Sequence, residues 1–261
     1  MGAAAALLLA ALLGSGAPTP NGRAADEQYG QVVLDAFTGP LGLPSVTFDH
    51  ATHRARHTCR VCHVDLAFAL KAGDSGVSAT TNEGGGHCGA CHDGVEHDGR
   101  TVFRACRGWP RPDQARGCLR CHTGPRSGPA PGYAELKARL PVDEAVYIDW
   151  EVAERRQLVH PVDRVPGVAV KRPSMATDRE VTFSTIGTWL RPVIFSHAKH
   201  ARWNGCGMCH PEVFPLGGRD KVRVRMNDIQ AGRSCGVCHV SVAFPLEGCK
   251  RCHAEERRPM R

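Results

Sequence analysis

Six times the chain repeats Cys-x-x-Cys-His, at Cys59-Cys62-His63, Cys88-Cys91-His92, Cys118-Cys121-His122, Cys206-Cys209-His210, Cys235-Cys238-His239 and Cys249-Cys252-His253. Of its 13 cysteines only Cys106 stands outside these motifs. Two copies crowd into one short stretch, CGVCHVSVAFPLEGCKRCH. A chain so spaced must fold around whatever those groups bind. It has little else to fold around. Aromatic residues make up 6% of it. Its 29 glycines and 18 prolines come to about 18% of the chain, against a usual share of about 12%. Long helices and a large aliphatic core are therefore not expected, and a metal or large cofactor is the usual substitute for such an interior.

The spacing names the cofactor. Two thiols three residues apart add to the two vinyl groups of one haem, and the next residue, His, lies under the ring and ligates its iron. Six motifs predict six covalent haem c groups, with His63, His92, His122, His210, His239 and His253 as proximal ligands. Paired Cys-x-x-Cys sites also hold zinc, but zinc gives no reason for a His after every pair. Disulfides in an oxidising compartment conflict with the odd cysteine count and the recurring His. Cys106 reads as a small buried apolar residue, with a reactive or partner-linking thiol as the alternative.

The chain is internally duplicated. Phe48, His50, His53, Cys59, Cys62, His63, Cys88, Cys91 and His92 recur, without a gap, 147 positions later as Phe195, His197, His200, Cys206, Cys209, His210, Cys235, Cys238 and His239. The third motif keeps an offset of 131, so the first copy carries sixteen extra residues before Cys118. Such a repeat sets the architecture ahead of any local reading. It predicts two trihaem units, at 41–125 and 181–256, joined by a linker over 126–180 that lacks cysteine. The linker starts loop-like (GPRSGPAPG), and Asp149 is placed to cap a short helix through Leu158, ended by His160-Pro161. Tyr147, Ile148, Trp150 and Val152 are expected to cover part of a haem unit. Val46-Thr47-Phe48 and Val193-Ile194-Phe195 are β-prone, so each unit should open with a short strand. The fold class is thus mainly irregular, with short α-helices and small β-hairpins packed around covalent haems.

Residues 1–25 read as a secretory signal: 3–13 are an unbroken Ala/Leu run, followed by small residues and a cleavage point near Ala24 or Ala25. Eleven apolar residues are too few to span a bilayer, and no later stretch approaches eighteen. The n-region lacks Lys and Arg, and a buried helix is the alternative reading. The protein is expected to be exported to the periplasm or extracellular space, and not membrane-spanning once the signal is cleaved. The formal net charge is +7, but each haem adds two propionates, so the basic sum does not argue for nucleic acid. The basic runs at Arg104–Arg116 and Lys221–Arg225 read either as solvated faces or as steering surfaces for an acidic redox partner.

The stretches FDHATHRARHTCRVCH and FSHAKHARWNGCGMCH resemble the trihaem cytochrome c7 domain of the class III multihaem cytochromes, within the cytochrome c3 superfamily. The likeness covers about 160 of 261 residues. It implies haems stacked around a minimal chain, which accounts for the crowding of attachment motifs. It also implies distal ligands: His50 opposite His63, His53 opposite His92, His197 opposite His210, and His200 opposite His239. The third haem of each unit departs from the family pattern. Many trihaem relatives carry its distal His six residues before the middle motif, where this chain has Asn82 and Ile229. In the second unit Met226 either ligates or packs on a haem face. In the first, His87 and His97 are the candidates, with His87 favoured. His57 and His160 are read as solvent-exposed.

Haem iron with two protein ligands leaves no vacancy for substrate, so the expected role is electron transfer rather than catalysis. The chain reads as a respiratory hexahaem c-type cytochrome. It would pass electrons between other cytochromes or redox proteins, as a carrier or as a segment of an outer-membrane electron conduit. The alternative is a multihaem reductase of a small oxidised substrate, using an open third-motif haem. A third class is an assembly subunit whose haems contact a neighbour.

Overall fold

The computed structural model describes residues 29–39, 42–97, 99–106, 115–126, 128–170, 179–185, 190–217 and 222–253. The expected signal at 1–25, Lys221 and most of the 104–116 basic run lie outside them. Strand β1 (Gln31–Leu34) pairs antiparallel with β2 (Val46–Asp49), with Val32 opposite Phe48. The chain turns directly into helix α1 (His50–Arg54), whose N-cap Asp49 accepts from the Ala51 amide. A π turn follows at Val61–Asp65, then α2 (Ala79–Glu83), which Ser78 and Thr81 close with reciprocal capping bonds. A 3-10 turn (His87–Ala90), the two-residue pair β3 (Glu96–His97) and β4 (Arg100–Thr101), and α3 (Ala115–Cys118) complete the first unit.

The linker holds α4 (Pro131–Arg139) and α5 (Trp150–Arg155). Asp149 caps α5 as expected, accepting from the Val152 amide at 3.1 Å. The helix stops at Arg155 rather than Leu158, and Gln157 takes a left-handed φ of 56°. Helix α4 was not expected. PAPG reads as loop, but Pro131 occupies a first-turn position, where its missing N–H costs nothing.

The second unit repeats the first. β5 (Glu180–Phe183) pairs antiparallel with β6 (Val193–Ser196), again with Val181 opposite the Phe of the motif, Phe195. α6 (His197–Asn204) follows, capped by Ser196 at the position of Asp49. α7 (Met226–Gln230), α8 (Gly236–His239) and α9 (Cys249–Cys252) end it. α7 lies 147 positions after α2, residue for residue. Both hairpins use a strand that the sequence did not announce. β1 lies ahead of residue 41, and β5 starts at the last residue of the expected linker.

The apolar core sits where the linker meets the first unit. Ala51 of α1 packs with Tyr133, Leu136, Ile148, Trp150 and Ala153. A smaller cluster joins Val61 to Val165 and Ala169. The second unit is clamped onto the linker by polar contacts. Lys199 meets Glu151 at 2.6 Å, Arg202 pairs with Glu154, and Trp203 Nε1 donates to Glu154 at 3.1 Å. Arg251 binds Asp143 at 2.6 Å and Asp149 at 3.1 Å. The units also touch directly: the Gly30 amide donates to the Ser241 carbonyl at 2.8 Å.

Candidate functional site

Five of the motifs close a single helical turn, in which the His amide donates to the carbonyl of the first Cys at 2.8–3.0 Å: His92 to Cys88, His122 to Cys118, His210 to Cys206, His239 to Cys235 and His253 to Cys249. The sixth runs into the π turn that contains Cys62 and His63. One turn puts positions i, i+3 and i+4 on one face, so both thiols and the imidazole of each motif share a side. Among the described residues all thirteen cysteines are free thiols, and no cluster of three or more His, Cys, Asp or Glu is arranged to hold a metal ion, as a zinc site would need.

Burial pushes the thiols of Cys62 and Cys238 up to about 12, and those of Cys88 and Cys235 to about 11. That favours the neutral thiol in the free chain.

The histidines are oriented by backbone carbonyls. Nδ1 of His63 faces the Phe68 carbonyl at 3.0 Å, His92 that of Phe103 at 3.2 Å, and His122 that of Pro44 at 2.8 Å. His210 meets Phe214 and His253 meets Arg191, both at 2.7 Å. The distal candidates do the same: His50 to Gly30 at 2.9 Å, His53 to Asp49 at 3.0 Å, His197 to Arg179 at 2.9 Å and His200 to Ser196 at 2.9 Å. A carbonyl only accepts, so each Nδ1 carries the hydrogen and each neutral ring keeps its Nε2 lone pair free. His239 differs: its Nδ1 is buried without a well-formed hydrogen bond, although the Phe244 backbone raises its pKa. Burial still dominates and lowers His239 to about 4, as it does His50. Burial likewise lowers His53, His63, His92 and His200.

Three pairs of rings face across a gap. His50 and His63 have centroids 6.4 Å apart and planes 3° apart. His53 and His92 are 6.2 Å apart, and His200 and His239 are 6.3 Å apart. Two imidazoles bound to one metal at about 2.0–2.1 Å, each nitrogen roughly 1.1 Å from its ring centre, give a centroid separation of about 6.2 Å. The pairs are thus spaced for one iron each. Phe48 lies edge-on to His50 at 4.8 Å and tilted against His53 at 4.5 Å, and Phe195 does the same for His197 and His200, at 4.9 and 4.2 Å. No ring contact joins the fourth expected pair, His197 and His210, among the described residues.

His50, His53, His63, His92, His200, His239 and His253 line one cavity of about 3320 Å³ that runs through both units, whereas His122, His197 and His210 do not line it. It is several times the size of a small-molecule pocket, roughly 300–1,000 Å³. Ile148, Trp150 and Val152 line it as expected, while Tyr147 packs edge-on against Tyr29 at 5.3 Å.

The neighbourhood of the third motifs is asymmetric. Met226, first residue of α7, lines the cavity together with Cys252 and His253. Its counterpart in α2 is Ala79, which has no ligating atom. Asn82 and Ile229 use their backbones instead: a Cβ on Gly89 would stand 1.8 Å from the Asn82 carbonyl oxygen, and one on Gly236 would stand 1.9 Å from that of Ile229. The middle motifs therefore read CGACH and CGVCH. His87 has a left-handed φ of 44°, sits edge-on to Phe68 at 4.8 Å, and buries an Nδ1 without a partner. His97 is bound to Asp93 at 2.9 Å. His160 is exposed, whereas His57 is half-buried and bridges to Val162 rather than lying in solvent. Cys106 accepts from Asn82 at 3.7 Å. Sequence reasoning missed Arg54, which reaches from α1 into the second unit, because its contacts are far apart in the chain.

The profile of the family described as "Cytochrome c7 and related cytochrome c" matches residues 46–123 and 193–254. Among solved structures, the chain is similar to the C-terminal hexaheme fragment of GSU1996 at 22% identity, over 86% of this chain and 96% of that one, with a TM-score of 0.26. It is similar to the N-terminal hexaheme fragment of the same protein at 23% identity, over 87% and 99%, with a TM-score of 0.25. No curated protein matches the chain.

Proposed function

The chain belongs to the family of cytochrome c7 and related cytochromes c, and from that premise we propose that it is an exported hexahaem electron-transfer protein. The observation that carries this reading is the set of three histidine pairs at 6.2–6.4 Å, in which every ring but His239 has its Nδ1 on a backbone carbonyl and its Nε2 left free to ligate. Haem, when bound, supplies a reversible one-electron couple at its iron. The twelve motif cysteines would tether it and the six motif histidines would ligate its iron. His50, His53, His197 and His200 would supply the second ligand for the haems at Cys59/Cys62, Cys88/Cys91, Cys206/Cys209 and Cys235/Cys238. Met226 would do so for the haem at Cys249/Cys252, and His87 for that at Cys118/Cys121.

The residues fix potential and position rather than perform chemistry. Carbonyls lock the tautomer and heading of the nine rings they bind, burial favours the neutral form of His50, His53, His63, His92, His200 and His239, and Phe48 and Phe195 hold pairs of distal rings in place. Two trihaem units, 41–125 and 181–256 together with strands β1 and β5, act as relays in series across the 126–180 linker. Partners are other cytochromes or redox proteins in the periplasm or at the cell surface, including an outer-membrane conduit. Among the described residues no helix is long and apolar enough to cross a membrane. The test is low-temperature EPR of the fully ferric holoprotein, integrated against total haem, with intact mass giving the haem number. Six covalent haems, all low-spin, are expected. A high-spin fraction of one-sixth or more would overturn the ligand set, and a mass short of six haems the count.

A further inference from the structure

Three buried or half-buried arginines bind across the contacts of the linker with the two units, and two of them have carboxylates. Arg251 binds Asp143 and Asp149. Arg60 lies 3.5 Å from Asp65 and donates to the Val170 carbonyl at 3.0 Å. Arg54 has no such partner: among the described residues it makes no ion pair. Its Nη1 donates to the Val242 carbonyl at 3.3 Å and the Ala243 carbonyl at 2.8 Å, both in the second unit. The guanidinium carbon lies 4.7 Å from the centre of the Trp150 ring and 5.1 Å from that of Trp203. Its Nε is buried without a partner, and the side chain lines the haem cavity.

A guanidinium does not shed its proton in a protein. A charge withdrawn from water is costly unless it is paired. Two carbonyls and two indole faces meet part of that need, but among the described residues no carboxylate pairs with it. The position is also outside the repeat: 147 residues on stands Ala201. The haems of the proposed function would bring carboxylates of their own into this cavity.

We propose that Arg54, clamped between Trp150 and Trp203, is the binding site for a haem propionate at the junction of the two units. The proposal rests on the haem-protein reading above. A guanidinium fork matches a carboxylate with two parallel donors, so the site would fix one macrocycle edge against both units at once.

The test uses the full-length holoprotein and two variants, R54Q and R54K, with haem content measured by mass. A propionate left buried without its cation takes up a proton. At neutral pH, R54Q should show the infrared carbonyl stretch of a protonated carboxylic acid, shifted in D₂O. Wild type and R54K should lack it. R54Q with six haems and no such band overturns the proposal and leaves the haem reading intact, whereas a wild type without covalent haem overturns that reading instead. Should R54Q fail to hold six haems, R54K decides. Retention of all six supports a site for charge. Loss matching that of R54Q shows a role in packing alone and overturns the proposal.

Discussion

His50 and His63 face each other with ring planes 3° apart and centroids 6.4 Å apart, though they stand thirteen positions apart in the chain and His63 lies within a π turn. His50 starts α1 directly after the strand, with Nδ1 tied to the Gly30 carbonyl, and His63 is tied in turn to that of Phe68. Both rings are aimed by backbone, so exchanging one of them should change the iron and leave the fold in place. His50→Met should keep all six haems and raise one reduction potential, as methionine ligation does relative to bis-histidine. A spectroelectrochemical titration that superimposes on wild type would remove His50 from the ligand set.

Met226 offers the converse case. It is 45% exposed and opens α7 at the cavity wall. As a ligand, its replacement by Ala should convert one haem of six from low-spin to high-spin, and the reduced protein should then bind one equivalent of carbon monoxide. An unchanged EPR spectrum in M226A would make the thioether a packing group.

Acid should act through the same histidines. Burial lowers His50 and His239 to about 4 in the folded protein, against an ordinary value of about 6.5. Between those values the unfolded chain binds more protons than the folded one. Stability is therefore full above about pH 6.5 and is lost as pH falls toward 4, by about 2 kcal/mol per histidine between pH 7 and 5. Iron ligation acts in the same direction. Urea unfolding at the two pH values, followed by far-UV circular dichroism, should give a lower midpoint at pH 5.

Gly236 admits no side chain, because a Cβ would stand 1.9 Å from the Ile229 carbonyl oxygen. Gly236→Ala must push α7 off the motif. The expected cost is about 1–3 kcal/mol or more, seen as a lower Tm with six haems retained. Gly89→Ala should behave alike, through Asn82.

Asp149 has two roles, capping α5 and receiving Arg251 at 3.1 Å. Asp149→Ala should cost about 0.5–2 kcal/mol for the cap, with a further loss from the weakened Arg251 anchor. Asp149→Asn, which keeps a capping oxygen, should recover most of the first part in a thermal melt.

Much of the site was legible because its spacing is covalent chemistry: the Cys-x-x-Cys-His turns and the 147-residue offset need no knowledge of the fold. The Asp149 cap and the strands at Val46 and Val193 were legible as local signals. Their partners Gln31–Leu34 and Glu180–Phe183 were not, because pairing across a loop leaves no mark in either segment alone. Helix α4 was hidden by Pro131, a residue that breaks helices everywhere but in their first turn. His57 read as a surface residue and is held by a bridge to Val162, more than a hundred positions away. Arg54 was illegible for the same reason. Trp150, Trp203 and Ala243 meet it only once both units and the linker have folded.

The clasp formed by α5 and its ion pairs with Lys199, Arg202 and Arg251 has a consequence for how the molecule behaves as a wire. Two beads on a flexible string would pass electrons at a rate set by how often they meet. Here the connecting segment is itself the packed interior, and Glu151, Glu154 and Asp149 hold the second bead against the first. In the relay we propose, the gap between units is then a fixed length of the structure, and cutting the chain within 126–180 should disable both halves rather than release two working ones.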